Sequence, residues 1–528
     1  MPQLRVVDEA CQLQAGPAGV QGEIPERDKL LVATAELLRR RFRLDVRTRQ
    51  EVLAIDRAGK RVEVRDHERG ETYEQHYDKL ILSPGASPFV PPVEGVNASG
   101  VFTLRNLADT DRIKAAVDSS ESKRAIVIGA GFIGLEMIEQ LVRRGFHTTL
   151  AELQPQVLPL IDPEMAVPVE EELRAAGVEL HLGNGIGQVL VDDSGRAAGV
   201  ELADGTQLAA EVVILGIGVR PNLKLAQDAD LEIGIGGGIA TNEYMQTNDP
   251  DIYAVGDAAK YTFGPTGQSA RIALAGPANR AGRLAGEHAA TGRSGSMRPV
   301  FGTSIVRVFD VAAALTGMTS AMARRLNRPA RSVVVVANHH AGYYPGAAPL
   351  TLKLVYDPET EKVLGAQAVG REGVDKRIDV IATAMALGAT VRDLAGLDLA
   401  YAPPFGAAKD PIHLAAFAAC NELDGLTQFV ESDADVTGKQ VVDVRTQAEV
   451  HAQPLAGAPD AINIPLDSLR ERLGELDPAR ETVISCRTGV RTHVAQRILT
   501  QHGFLDVKSL AGGALVRNRA WRNDMRSS

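Results

Sequence analysis

The sequence predicts an α/β chain of several modules, built mainly on parallel sheets with helices on both faces. Three observations carry this. Short apolar strands, such as AIVI (125–128) and VVIL (212–215), alternate with helical patterns. Several of those strands run straight into glycine, as at Ser83-Pro84-Gly85, Gly129, Gly216-Ile217-Gly218 and Gly256. The length of 528 residues is too great for one core and suggests three or more domains at ~150 residues each.

RVEVRDHERGETYEQHYDKLILSPGASP (61–88) reads as a strand, a polar turn and a second strand, KLILS. ESKRAIVIGAGFIGLEMIEQLVRRGFHTTLAEL (121–153) reads as a buried strand, a tight turn, a helix and another strand. EVVILGIGVRPN (211–222) and DIYAVGDAAKY (251–261) each give a strand followed by a turn. From about Pro299 the strands lengthen, as in RSVVVVANHH (331–340) and APLTLKLVYD (348–357). A polar break, ESDADVTGK (431–439), precedes QVVDVR, and the last hundred residues read as a separate small α/β module.

Lys and Arg number 57 against 67 Asp and Glu, a net charge of −10 with both signs mixed, which predicts no nucleic-acid partner. The basic run LLRRRFRLDVR (37–47) reads as a solvated helix face. No apolar run approaches the ~20 residues of a bilayer span, and no export signal is visible, so a cytoplasmic protein without membrane contact is expected. Cys11, Cys420 and Cys486 are too few for a disulfide framework and suit a reducing compartment. No metal site is assigned.

The strongest motif is Gly129-Ala130-Gly131-Phe132-Ile133-Gly134. Gly129 permits a tight turn, Gly131 lets a pyrophosphate approach the backbone, and Gly134 lets helix and strand pack closely. The helix N-terminus then faces the anion. The following strand ends in Glu152, 23 positions after Gly129, where a carboxylate bonds ribose hydroxyls and repels a 2′-phosphate. No Arg or Lys lies in the next ten residues, so NADH is favoured and NADPH remains a possible cofactor.

YDKLILSPGASP, VIGAGFIGLEMIE, GIGVRPN, IYAVGDAA and LAGPANRAGR occur in the order found in two-dinucleotide-fold flavoprotein disulfide reductases. ANHHAGYYPGAAPLTLKLVYD and LDLAYAPPFGAAKDPI resemble the dimerisation domain of the coenzyme A-disulfide reductase and NADH oxidase branch. One subgroup of that branch carries a C-terminal rhodanese domain, and the resemblance covers residues 22–528. It implies a partial FAD-binding domain (1–118 and 240–298), an NAD(P)H-binding domain (119–239), an α+β dimerisation domain (299–424) and a rhodanese-like domain (426–528). It implies FAD, a homodimer, and a coenzyme A disulfide, persulfide or polysulfide as substrate. Cofactor contacts map to Ser83, Gly85, Gly218, Asp257, Leu274 and Ala275. Asp257 stands where the family bonds the flavin ribityl chain, and Leu274–Asn279 approach the flavin ring.

The N-terminus departs from the family. A strand, glycine turn and helix for the ADP part of FAD are expected first, then an Asn-Cys-Gly-x-Pro loop whose cysteine faces the flavin. Counting back from Gly22-Glu23-Ile24-Pro25-Glu26-Arg27-Asp28-Lys29-Leu30-Leu31 puts Gln14 in the cysteine's place and Pro17 in register. Cys11 is three residues off, and roughly 30 residues are needed for the missing unit. The first dinucleotide fold is therefore read as incomplete, with low FAD occupancy expected.

VISCRTGVRTHVAQRIL (483–499) is a second chemical centre. A strand ends at Cys486, Arg487–Arg491 curl around it, and a helix follows. Inward backbone N–H groups beside a helix N-terminus stabilise an anionic sulfur. Four residues separate Cys486 from Arg491, too few for the phosphate-sized loop of a cysteine phosphatase. The loop resembles that of the rhodanese family. By that resemblance Cys486 is the nucleophile, Arg491 offsets persulfide charge, Arg487 meets the donor anion, and Asp443 and Arg445 form a structural pair. The family's glycine-histidine-isoleucine-proline stretch is degraded here to Ala456-Gly457-Ala458-Pro459. The resemblance also places Tyr344 and Tyr401 near the substrate sulfur, donating from the partner subunit to a departing thiolate.

Two functions follow as expectations. One is an NAD(P)H-dependent flavin reductase of disulfides, persulfides or polysulfides with a sulfur-carrying rhodanese domain. The other is a sulfurtransferase on a flavin-poor, reductase-inactive scaffold.

Overall fold

The protein was analysed as a computed structural model, which describes residues 5–7, 20, 24, 26–31 and 33–527. Cys11, Gln14 and Pro17 lie outside the described residues. The sequence reading leaves no strand before Gln14, but Arg5–Val7 forms one, pairing in parallel with Asp45–Arg47. Val6 and Val7 are β-branched, which suits an extended backbone.

The chain divides into two compact units, residues 1–153 with 177–302, and residues 154–176 with 303–528. In the first, five parallel strands lie in the order Glu179–Leu182, His147–Glu152, Arg124–Ile128, Val212–Leu215, Val101–Thr103. The central strands are buried on both faces, which explains their unbroken apolar runs. A three-stranded antiparallel sheet, Gln50–Asp56, Arg61–Asp66 and Glu71–His76, precedes Leu80–Leu82. The 61–88 segment thus holds two strands more than its sequence suggests: Glu71–His76, which pairs despite its polarity, and the short Ala86–Pro88 after the SPG turn. Leu80–Leu82 pairs in parallel with Ile252–Ala254, so the SPG turn and the GD turn leave the same end of one strand pair.

In the second unit an antiparallel sheet runs Ser304–Val308, Val311–Gly317, Val363–Gly370, Pro349–Tyr356, Arg331–Asn338. The helix Pro163–Ala175 belongs to this unit, although its sequence falls inside the expected nucleotide module. Its N-cap residue, Asp162, is the reason. Asp162 takes an ion pair from Lys353 at 2.9 Å, an amide from Gln367 at 2.7 Å, and backbone N–H groups from Ser320 and Ala321. Lys353 also pairs with Glu164 at 2.5 Å. Burial alone would pull the Lys353 pKa down, but Glu164 and Asp162 outweigh it and hold it raised.

The C-terminal residues form a parallel sheet in the order Phe429–Val430, Val507–Leu510, Thr482–Ser485, Gln440–Asp443, Ile462–Asn463. This module has its own core of Val442, Val444, Ile464, Ile484, Leu499 and Val507, yet it lies within the same compact unit as the antiparallel sheet.

Candidate active sites

The glycine motif links the strand Arg124–Ile128 to the helix Phe132–Arg143. Gly129 has φ +101°, which only glycine adopts without strain, and a Cβ there would strike the Gly216 carbonyl. A Cβ on Gly134 would strike the Gly129 carbonyl, so that position holds helix against strand. Gly131 faces open space and caps the helix with no side chain. That combination fits a dinucleotide pyrophosphate: the backbone is approachable and the first-turn amides have no side-chain partner. The Glu152 carboxylate is buried and accepts the Ala130 N–H at 2.7 Å, so it sits against the glycine turn.

Ser83, Gly85, Gly256 and Asp257 come together where the two turns leave their strands. A Cβ on Gly256 would lie 3.4 Å from Ser83 Oγ. Arg105, which the sequence reading missed, joins them. Its Nη1 is 3.5 Å from Asp257 Oδ2, and a Cβ on Gly85 would lie 2.5 Å from its Nη2. Tyr261 donates to the Gly256 carbonyl at 3.0 Å. Gly218 also has positive φ and open space about it, and its carbonyl accepts from Phe89. Leu274 caps the 17-residue helix Ala275–Thr291 without a side-chain hydrogen bond, and Ala275 and Gly276 are exposed. An approachable helix start and a half-buried acceptor at Asp257 fit the ribityl part of a flavin.

The Tyr401 hydroxyl lies 3.4 Å from that of its neighbour in the fold, Tyr343. The Tyr344 ring stands edge-on to His340. Both tyrosines of the YYPG stretch were visible in sequence, but not which of them turns toward Tyr401.

Cys486 ends the strand Thr482–Ser485 and is 1% exposed. The loop returns its own amide to the sulfur: Gly489 N–H donates to Cys486 Sγ at 3.1 Å. Gly489 has φ +94° and starts the helix Val490–Gln501. Arg491 is held bidentate by Glu449, Nη1–Oε2 2.9 Å and Nη2–Oε1 2.7 Å. The Glu449 hydrogen bond is the main cause of a raised Arg491 pKa, and Cys486 adds to it. Glu449 also closes a capping box with Thr446, so the carboxylate is fixed from two sides. Arg491 is the first cause of a Glu449 pKa lowered from 4.5 to about 2. Sequence reasoning missed Glu449, although Thr446-Gln447-Ala448-Glu449 carries the capping-box spacing. Arg487 is exposed at the loop's rim. Asp443 and Arg445 form a buried pair at 2.6 Å, and Arg445 also reaches the Gln453 carbonyl. The Ala456–Pro459 stretch is tied down by Arg517 and Asn518, both bonded to Ala456.

The Glu449 shift has a definite sign. A folded pKa below the unfolded one adds stability that is present above about pH 4.5 and is lost as pH falls toward 2. The melting temperatures of the full chain and of Glu449→Gln should therefore differ at pH 6 and converge as pH drops below 4.5. A difference that grows on acidification would contradict the pairing.

No helix among the described residues is long and apolar enough to cross a membrane. The pyridine nucleotide-disulphide oxidoreductase profile matches residues 6–282, starting earlier than the resemblance read from residue 22. That family's dimerisation domain matches 303–411, and the rhodanese-like domain matches 427–515. The coenzyme A disulfide reductase of Staphylococcus aureus (strain bovine RF122 / ET3-1) is 35% identical over 405 residues, 76% of this chain and 89% of that protein. The reduced CoADR-RHD of Bacillus anthracis is 41% identical with a TM-score of 0.94, covering 98% of this chain and 94% of that one. An NAD-dependent persulfide reductase from A. fulgidus is 35% identical with a TM-score of 0.90, covering 97% and 95%. With strand-end glycine turns in the first unit and a cupped cysteine in the second, the chain belongs to the pyridine nucleotide-disulphide oxidoreductase family and carries that family's dimerisation domain and a rhodanese-like domain.

Proposed function

We propose that the chain is an NADH-dependent flavin reductase of coenzyme A persulfide or a related disulfide or polysulfide, acting as a homodimer, with Cys486 as its sulfur carrier. The observation that carries this reading is the Cys486 loop, where the Gly489 N–H and the pinned Arg491 face one buried sulfur. In a single-sulfur transfer from thiosulfate, the Cys486 thiolate attacks the sulfane sulfur. The S–S bond of thiosulfate breaks, sulfite leaves with its electron pair, and a persulfide anion remains on Cys486. Arg491 and the loop amide offset that charge, and Arg487 meets the incoming anion.

FAD and NADH, when bound, supply the electron pair that cleaves a sulfur–sulfur bond. Gly129, Gly131, Gly134 and Glu152 would hold the nicotinamide dinucleotide. Ser83, Gly85, Asp257, Leu274 and Ala275, with Arg105 beside them, would hold the flavin, and Gly218 leaves the approach open. Tyr344 and Tyr401 are the phenols we assign to the departing thiolate, with the Tyr343 hydroxyl beside that of Tyr401 and the homodimer bringing them to the partner's flavin. The domain boundaries 1–118 with 240–298, 119–239, 299–424 and 426–528 serve as the working division.

The nucleotide assignment has its own test. A charged acceptor bonded to a ribose hydroxyl contributes about 1.5–3 kcal/mol. Glu152→Ala in the full chain should weaken NADH binding roughly tenfold or more and narrow its advantage over NADPH. Tighter binding of NADPH by the unaltered chain would refute the role of Glu152. The sulfur-carrying half of the proposed function is tested by sulfur transfer from thiosulfate to cyanide, with Cys486→Ser as the control, and the reductive half by NADH-dependent release of sulfide from coenzyme A persulfide.

A further inference from the structure

The strand Arg331–Asn338 lies at the edge of the antiparallel sheet, yet it carries four consecutive valines, Val333–Val336. Such a run on an edge strand calls for cover on both faces. Residues two apart share a face. Ser332, Val334 and Val336 are one such set, and all three meet the rhodanese-like module. Ser332 Oγ donates to Glu431 at 3.4 Å. Val334 and Val336 form one buried apolar cluster with Ala511 and Val516, and Leu515 packs against it.

These contacts end at the catalytic loop. Gly512 and Gly513 have φ +67° and +65° and turn the chain into the last helix. A Cβ on Gly512 would lie 3.2 Å from Val334 Cγ1, while a Cβ on Gly513 would lie 2.5 Å from the Cys486 carbonyl oxygen. The double-glycine turn is therefore layered between Val334 and the loop. The first amides of the last helix take the loop's outward carbonyls: Ala514 N–H donates to Cys486 O at 2.7 Å, and Leu515 N–H to Arg487 O at 3.1 Å. A loop whose carbonyls are held outward directs its amides inward, as Gly489 N–H is directed at Sγ.

We propose that Val334, seconded by Val336, is a positioning residue for sulfur transfer: the dimerisation sheet presses the Gly512–Gly513 turn onto the Cys486 loop and keeps its amides aimed at the sulfur. This rests on reading Cys486 as the sulfur carrier. The module's own core, built on Val442, Ile484 and Leu499, does not include Val334, so loosening the docked face leaves that core intact. The charged groups around the sulfur are Arg491, with Glu449 behind it, and Arg487 at the rim. None of them touches Val334 in a hydrogen bond or ion pair.

The test is the pH dependence of iodoacetamide alkylation at Cys486 in the full chain, followed on its own peptide so that Cys11 and Cys420 do not interfere. Val334→Asp should raise the alkylation midpoint, because the thiolate loses an inward amide and gains a nearby carboxylate, and Val334→Ala isolates the first of these. Val334→Ala should move it the same way by less, and Val334→Ile should leave it in place. NADH binding should not change in any of the three. An unchanged midpoint in Val334→Asp and Val334→Ala overturns the proposal. The readout needs no turnover, so a chain inactive in sulfur transfer whose midpoint still follows Val334 would sink the functional reading while leaving Val334 as the residue that aligns the Cys486 loop.

Discussion

Cys486→Ser is expected to abolish thiosulfate-to-cyanide sulfur transfer in the full chain. A serine hydroxyl fits the loop and accepts the Gly489 N–H, but it does not form a persulfide at neutral pH. Arg491→Ala should lower turnover by roughly 10²–10³, the range found when one group that stabilises developing negative charge is removed. Both variants should fold: serine is close in size to Cys486, one buried member of a larger apolar cluster with Ile464, Ile498 and Leu499, and Arg491 is a partly exposed side chain at the start of the helix Val490–Gln501. Retained activity in Cys486→Ser would mean that sulfur travels by another thiol. Turnover of an aryl phosphate would mean that the four-residue spacing accommodates phosphate after all.

Lys353→Met should destabilise the second unit by about 3–5 kcal/mol, the usual consequence of removing one partner from a buried ion pair. The side chains of Lys353, Asp162 and Glu164 are 2%, 1% and 9% exposed, so removing the lysine leaves two buried carboxylates without their counter-charge. Asp162 would keep Gln367 and the Ser320 and Ala321 amides, which soften the loss. Glu164 has no such set. The triple change Lys353→Met, Asp162→Asn, Glu164→Gln should recover much of the loss, because neutral groups pay less for burial. Urea midpoints of the three proteins check this. A single variant as stable as the parent would show that Lys353 contributes no net charge compensation.

The candidate sites legible in the sequence are those written in adjacent residues. Gly129, Gly131 and Gly134 stand at fixed spacing because a single turn needs all three, and Glu152 follows one helix and one strand later. Cys486 and Arg491 are legible for the same reason. What the sequence hid depends on residues distant along the chain. Glu449 pins Arg491 from 42 positions away, and Lys353 draws the helix Pro163–Ala175 into the second unit from 189 positions away. Arg105 reaches Asp257 across 152 positions. The small C-terminal module reads as independent because its hydrophobic pattern closes on itself. The docked face shows only as an excess, the run Val333–Val336, whose alternate residues need a second cover. Tyr343 and Tyr344 are adjacent and chemically identical, so only the fold distinguishes the one that faces Tyr401.

We propose that one chain joins sulfur carriage at Cys486 to NADH-dependent cleavage of a sulfur–sulfur bond. In the reductive half, a persulfide RSSH and NADH give RSH, HS⁻ and NAD⁺. The most direct measurement is anaerobic turnover of the FAD-supplemented full chain with NADH and coenzyme A persulfide, following NADH absorbance and released sulfide together. One sulfide should be released for each NADH consumed. No NADH consumption, or consumption without sulfide, would contradict the reductase and leave sulfur transfer at Cys486 as the chain's chemistry.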